Sequence, residues 1–185
     1  MRKKSLKPST KDANDNSSLR PIGARALKSA IDTLRPYFPA STVLELFAGQ
    51  GRFSYAALAE GAHLALLIEK DPKTARELEK LRPKKIPAER KSRVLHADVW
   101  KFLQSAENDL YDIIFVDPPF KDWNAQLEEN LFQALGRFSK PNTILLVKYP
   151  KQVLLSSSHS GFKLWKINTF GESQLAYFTY GESQF

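Results

Sequence analysis

Short apolar runs alternating with helical segments constrain this chain more than any other feature. Residues 42–47, 63–68, 111–116 and 144–147 are continuous apolar runs of strand length, and Val94 and Leu95 mark a shorter one. Between them lie segments with helical patterning at 52–60, 72–81, 98–105 and 126–138. Strands that are apolar throughout, rather than alternating, are buried on both faces, so the pattern predicts a parallel sheet covered by helices on each side. Before the first strand, residues 22–35 place Ile22, Ala26, Ala30, Ile31 and Leu34 near one helical face, and Pro36 and Pro39 end that helix. After the last helix the pattern changes. Residues 163–170 and 174–180 read as two adjacent strands joined through Gly171-Glu172, a closing antiparallel hairpin. Residues 1–19 are polar, basic and poor in large apolar side chains; they are expected to form a flexible basic arm, leaving 20–185 as one α/β domain.

The loop after the first strand runs Glu45-Leu46-Phe47-Ala48-Gly49-Gln50-Gly51 into a helix. Glycines allow a tight turn and close approach to a ligand, and the free N–H groups of the helix that follows face the same point. This is the geometry of a nucleotide site at the C-terminal edge of a parallel sheet, a Rossmann-like arrangement. The third glycine of the dinucleotide fingerprint is missing, since position 54 is Ser. Glu45 brings negative charge to the strand end, which is poor beside a pyrophosphate but suits the ammonium and sulfonium of S-adenosylmethionine. Glu69 ends the second strand, where an acid accepts two ribose hydroxyls; NAD enzymes place an acid similarly. Asp98 follows the third strand, and either accepts the adenine amino group or N-caps the next helix. The expected cofactor set is Glu45, Phe47, Ala48, Gly49, Gln50, Gly51, Glu69, Lys70, Asp98 and Val99.

The fourth strand delivers Asp117-Pro118-Pro119-Phe120. Consecutive prolines donate no backbone hydrogen bond, and so make a stiff extended loop whose carbonyls can accept. In isolation this is a turn leaving the sheet. After a cofactor loop it suits an exocyclic amine, whose N–H groups would be accepted by the Asp117 carboxylate and a neighbouring carbonyl while the lone pair faces a methyl donor. Phe120 would stack on an extruded base.

Together these residues resemble the bacterial small-subunit (16S) ribosomal RNA guanine-N2 methyltransferases. The resemblance covers most of residues 20–180 and rests on the Arg20-Pro21 opening with Arg25 beyond it, LELFAGQG at 44–51, IEKD at 68–71, DPPF at 117–120, and the closing hairpin from Gly171 to Tyr177. The chain departs at Ala24 and Lys28, where the family often has acids, and at Gln50 and Arg52, where it often has small residues. The resemblance implies a class I S-adenosylmethionine-dependent methyltransferase with a seven-stranded sheet in the order 3-2-1-4-5-7-6, strand 7 antiparallel. It places Asp117 and the Pro118 carbonyl at the target amine, Glu69 on the ribose and Asp98 near the adenine. The alternatives are amino-methylation of DNA or another substrate, and an RNA-binding protein that keeps the pocket without catalysis.

The net charge of +8 favours a polyanionic partner. Basic residues concentrate at 80–93, and phosphate contacts are expected from Lys84, Lys85, Lys91 and Arg93, with Arg20 and Arg25 at the other end; a solvated charged surface accounts for the 80–93 cluster equally well. The expected partner is ribosomal RNA or the small ribosomal subunit, met by a monomer in the cytoplasm. The chain has no cysteine, and His63, His96 and His159 are widely spaced, so no metal site is expected. No run approaches the ~18 apolar residues of a membrane span.

Overall fold

A computed structural model of the protein describes residues 22–105 and 109–181. Arg20 and the expected basic arm lie outside the described residues. Five helices and eight strands follow in the order α1 (Ala24–Leu34), β1 (Thr42–Leu46), α2 (Arg52–Glu60), β2 (Leu64–Glu69), α3 (Pro72–Leu81), β3 (Lys91–His96), α4 (Val99–Leu103), β4 (Tyr111–Val116), α5 (Ala125–Leu135), β5 (Ser139–Pro150), β6 (Ser158–His159), β7 (Phe162–Phe170) and β8 (Ser173–Tyr180). They form one sheet in the order β3-β2-β1-β4-β5-β8-β7-β6. The first five strands are parallel, whereas β8 runs antiparallel to both β5 and β7. The expected order and closing hairpin are present, with one more strand than the seven expected. The extra strand, β6, has two residues and turns back onto Phe162 and Lys163 through Ser160 and Gly161, both at positive φ.

Local chemistry sets the helix ends. The Asp71 carboxylate accepts from the Thr74 N–H at 2.7 Å with Pro72 in the first turn of α3, and the Asn124 side chain accepts from the Leu127 N–H at 2.9 Å at the start of α5. α2 stops at Gly61, at φ 127°, which an L side chain rarely adopts. The sheet buries both faces. Ala30, Leu34, Phe38, Phe53, Leu58 and Leu78 pack on one with Phe115 and Leu146; Val99, Leu103, Phe132, Leu135 and Phe138 pack on the other with Leu145 and Phe178.

Two strands are longer than the apolar runs foretold. β3 extends back to Lys91 because it is the sheet edge, where Lys91 and Arg93 point to solvent while Ser92 and Val94 turn inward. β5 starts at Ser139, passes a register shift opposite β4 and a positive φ at Asn142, and continues through Lys148 to Pro150 because β8 pairs with it that far. The parallel register aligns Leu46 with Ile68 and with Val116, Ile68 with Leu95, and Val116 with Val147. The residues just beyond these positions therefore share one rim of the sheet.

Candidate active site

The rim opens with the loop between β1 and α2. Phe47 lies at φ 58°, an uncommon conformation for a bulky residue and a sign of stored local strain, and Ala48 donates to the Ile68 carbonyl at 3.0 Å. Gly49 and Gly51 also have positive φ, but their surroundings differ. A Cβ on Gly49 would meet nothing closer than the Phe47 carbonyl oxygen at 3.9 Å, so it faces open space. A Cβ on Gly51 would fall 2.7 Å from Leu67 and 2.8 Å from Leu78. Gly51 is thus required by packing of the helix start on the core. Of the two glycines expected to clear space for a ligand, only Gly49 does so. Gln50 is exposed at the tip.

Three acids lie along this rim, and two of them, Glu45 and Glu69, accept from the glycine loop or the helix it opens. Glu45, 3 % exposed, accepts the Ser54 N–H at 2.9 Å at the start of α2. Burial, with the nearby Asp117 charge adding to it, pushes its carboxyl up to about 7, against partial relief from the Ser54 hydrogen bonds. Glu69 accepts from Gly49 N–H at 2.9 Å and Asp71 N–H at 2.8 Å, tying the two loops together. Asp98 N-caps α4, accepting from Trp100 at 2.9 Å and Lys101 at 3.2 Å on a single oxygen, Oδ1. The capping role weighed for it is therefore present. Val99 buries its side chain in the core, and Lys70 is exposed with its carbonyl 3.1 Å from His96 Nε2.

Asp117 stands one residue past β4, beside Glu45. Pro118 is buried and Phe120 is 38 % exposed at the rim. The Asp117 carboxylate carries a partner that the sequence reading did not name. Lys148 Nζ lies 2.7 Å from Oδ1 and 3.0 Å from Oδ2, with side-chain exposures of 7 % for Lys148 and 15 % for Asp117. The same ammonium sits 5.0 Å from the centre of the Phe120 ring. Burial raises the Asp117 carboxyl, and the Lys148 charge and hydrogen bonds pull it back down. The only hint in the sequence is positional: Lys148 follows an apolar run ending in Val147 as Asp117 follows one ending in Val116, and the sheet pairs those two valines.

The residue set fits S-adenosylmethionine. Open space at Gly49 leaves room for a ligand, and the buried acid Glu45 offers charge to a cationic ligand rather than to a phosphate.

Among the described residues, the bases expected at RNA lie on α1, on β3 and in the connection before β3. Arg25 is exposed on α1, in a groove shared with Lys28, Ser29, Asp32, Thr33 and Lys166. Lys84 and Lys85 are exposed in the connection between α3 and β3, at the opposite rim of the sheet; Lys91 begins β3 there, and Arg93 lies partway along it. Two other members of this basic run are structural. Arg82 donates to the carbonyls of Ile86, Pro87 and Arg90, and Arg90 donates to those of Leu58 and Ala59 at the end of α2.

Comparison with known proteins agrees with this fold. Ribosomal RNA small subunit methyltransferase D of Haemophilus influenzae is 30% identical over 141 residues, 74% of this chain and 71% of that protein. A solved Haemophilus influenzae structure described as a methylase superposes with a TM-score of 0.72 at 29% identity, covering 88% of this chain and 100% of that one. An RNA methyltransferase from Salinibacter ruber, solved with S-adenosyl-L-homocysteine, shares the fold with a TM-score of 0.65 at 12% identity, covering 89% of this chain and 95% of that one. The family model described as conserved hypothetical protein 95 matches residues 2–179. With nearly its whole length matched, this chain belongs to that family and has the α/β methyltransferase fold.

Proposed function

We propose that this protein methylates the exocyclic N2 amine of a guanine in small-subunit ribosomal RNA, with S-adenosylmethionine as donor. The observation that carries the reading is the Asp117 carboxylate, set beside the acid-lined glycine loop by strand register and followed by the rigid Pro118-Pro119-Phe120. The donor supplies an electrophilic methyl on a sulfonium; a C–N bond forms as the S–CH3 bond breaks, the electron pair of that bond leaves with S-adenosylhomocysteine, and the proton lost by the amine passes to solvent. The protein's part is to present the nitrogen. Asp117 and the Pro118 carbonyl accept its N–H hydrogens, which turns the lone pair toward the donor, and Phe120 stacks on the extruded base. Glu45 balances the positive charge of the donor, while Glu69 receives the ribose and Asp98 the adenine edge.

An acceptor pair of this kind recognises an amine on any base. The +8 charge suits any nucleic acid, and the resemblance to a small-subunit ribosomal RNA methyltransferase favours ribosomal RNA over DNA. Phosphates are assigned to Arg20, Arg25, Lys84, Lys85, Lys91 and Arg93. A six-residue strand spans only about 20 Å, so a folded RNA reaches both rims. The test is Asp117→Asn with labelled S-adenosylmethionine and small subunits assembled on unmodified transcript. Loss of transfer with cofactor binding retained supports the reading; wild-type transfer removes Asp117 from the reaction.

A further inference from the structure

We propose that Lys148 is a positioning residue for this reaction: its ammonium is the fixed counter-ion that holds the Asp117 carboxylate in place as the acceptor for the substrate amine. The inference rests on the role proposed above for Asp117 and adds a residue to it.

A buried lysine needs a reason. β5 is otherwise apolar from Ile144 to Val147, and every residue from Thr143 to Pro150 is buried. Taking an ammonium out of water carries a desolvation cost that its partner must offset, and an apolar residue of similar volume would avoid that cost. The lysine stands where register places it level with Asp117, since Val116 pairs with Val147. Its head contacts both carboxylate oxygens, at 2.7 Å and 3.0 Å, and lies over Phe120 at 5.0 Å. One ammonium thus touches the first and last residues of the Asp117–Phe120 loop. Each carboxylate oxygen has two lone-pair directions, so a bound ammonium leaves acceptor capacity for an amine.

Two effects follow. Lys148 opposes the effect of burial on Asp117 and favours its ionised form. Without Lys148 it would face the buried Glu45 on β1, the other charged group whose interaction with it is resolved, and both burial and that neighbour favour the protonated form. A protonated Asp117 loses part of its ability to accept from the amine. The pair is also electrically neutral, so the lysine adds no net repulsion to a sulfonium or to positive charge growing on the nitrogen.

The experiment compares Lys148→Met, Lys148→Gln, Lys148→Arg and Asp117→Asn with the wild-type chain. It uses labelled S-adenosylmethionine and small subunits assembled on unmodified 16S transcript, with kcat measured from pH 5.5 to 9. Cofactor affinity and thermal midpoint are measured on the same proteins. The expected result is a kcat in the Met and Gln variants tenfold or more below wild type at pH 7. That loss shrinks as pH rises, because their acid limb moves up by a unit or more, and Lys148→Arg restores the limb. A uniform loss at all pH values, unchanged activity, or folding of the Arg variant alone would overturn the proposal. The Asp117→Asn arm separates the two claims. If it is inactive while the Lys148 limb does not move, only the lysine's role fails; if it retains wild-type turnover, the underlying reading fails first.

Discussion

The two rims of the sheet use charge in opposite ways. At the C-terminal rim, buried acids sit against a strained loop: Glu45 and Glu69 accept backbone N–H groups, Phe47 holds a positive φ, and Asp117 is paired inside the protein with Lys148. At the opposite rim, bases predominate and serve carbonyls. Arg82 and Arg90 together bind the last residues of α2 and the connection into β3, and Lys84 and Lys85 are left in solvent. The difference follows from backbone polarity. The starts of the helices that follow the parallel strands present N–H groups to one rim, which acids satisfy. The ends of those helices present carbonyls to the other, which arginines satisfy.

The comparison breaks most easily at Asp117. Asp117→Ala is expected to lower kcat by 10²–10³-fold, about 3–4 kcal/mol of transition-state stabilisation, with cofactor affinity largely kept. Steady-state transfer assays with parallel calorimetry check this, and equal losses in both quantities would mean a damaged pocket.

Glu45 should reveal the cost of the acid rim. Its carboxyl is raised from 4.5 to about 7 in the folded protein. The folded state therefore binds the proton more tightly, and stability falls as pH rises from 4.5 to 7, then levels. The full effect is about 3 kcal/mol. Glu45→Gln keeps an acceptor for the Ser54 N–H, so it should stabilise the free protein at pH 8 by up to that amount and flatten the pH dependence. It should also weaken S-adenosylmethionine, because the opposing charge is lost. Urea unfolding at several pH values, beside cofactor titrations, tests both halves.

At the other rim, Arg90→Met removes the charged Nη1 and its two hydrogen bonds to carbonyls at the end of α2. A loss of about 2 kcal/mol in unfolding free energy is expected, with kcat unchanged. Neutralising Lys84, Lys85, Lys91 and Arg93 together should do the converse. Stability stays within about 0.5 kcal/mol, cofactor affinity is unaffected, and the log–log salt slope of RNA binding falls by about 0.7 for each lost contact to single-stranded phosphate. An unmoved slope would leave these residues as solvated surface charge.

Much of the acid rim was legible because its residues sit in short local patterns: a strand, then glycines; a strand, then Glu69; a strand, then Asp117 and two prolines. What escaped was set by pairing between distant segments. Lys148 looks like the residue that ends an apolar run, and only the Val116–Val147 register brings it to Asp117. The start of β5 was hidden by Pro141 and Asn142, which precede the apolar run but lie within a strand that shifts register there. β6 is too short for any periodicity, and Ser160-Gly161 was its one local signal. Gly51 looks like a ligand-facing glycine and is a packing one, a distinction that depends on Leu67 and Leu78. The run of bases at 80–93 reads as uniform, yet Arg82 and Arg90 are spent on carbonyls while Lys84 and Lys85 are not.

The most direct test of the central claim is the identity of the product. Small ribosomal subunits assembled on unmodified 16S transcript are incubated with the protein and S-adenosylmethionine labelled on the methyl group, and the RNA is digested to nucleosides and separated by chromatography. The account predicts that the label migrates with N2-methylguanosine and is absent with Asp117→Asn. Label in a different nucleoside, or none from a protein that demonstrably binds S-adenosylhomocysteine, would contradict it.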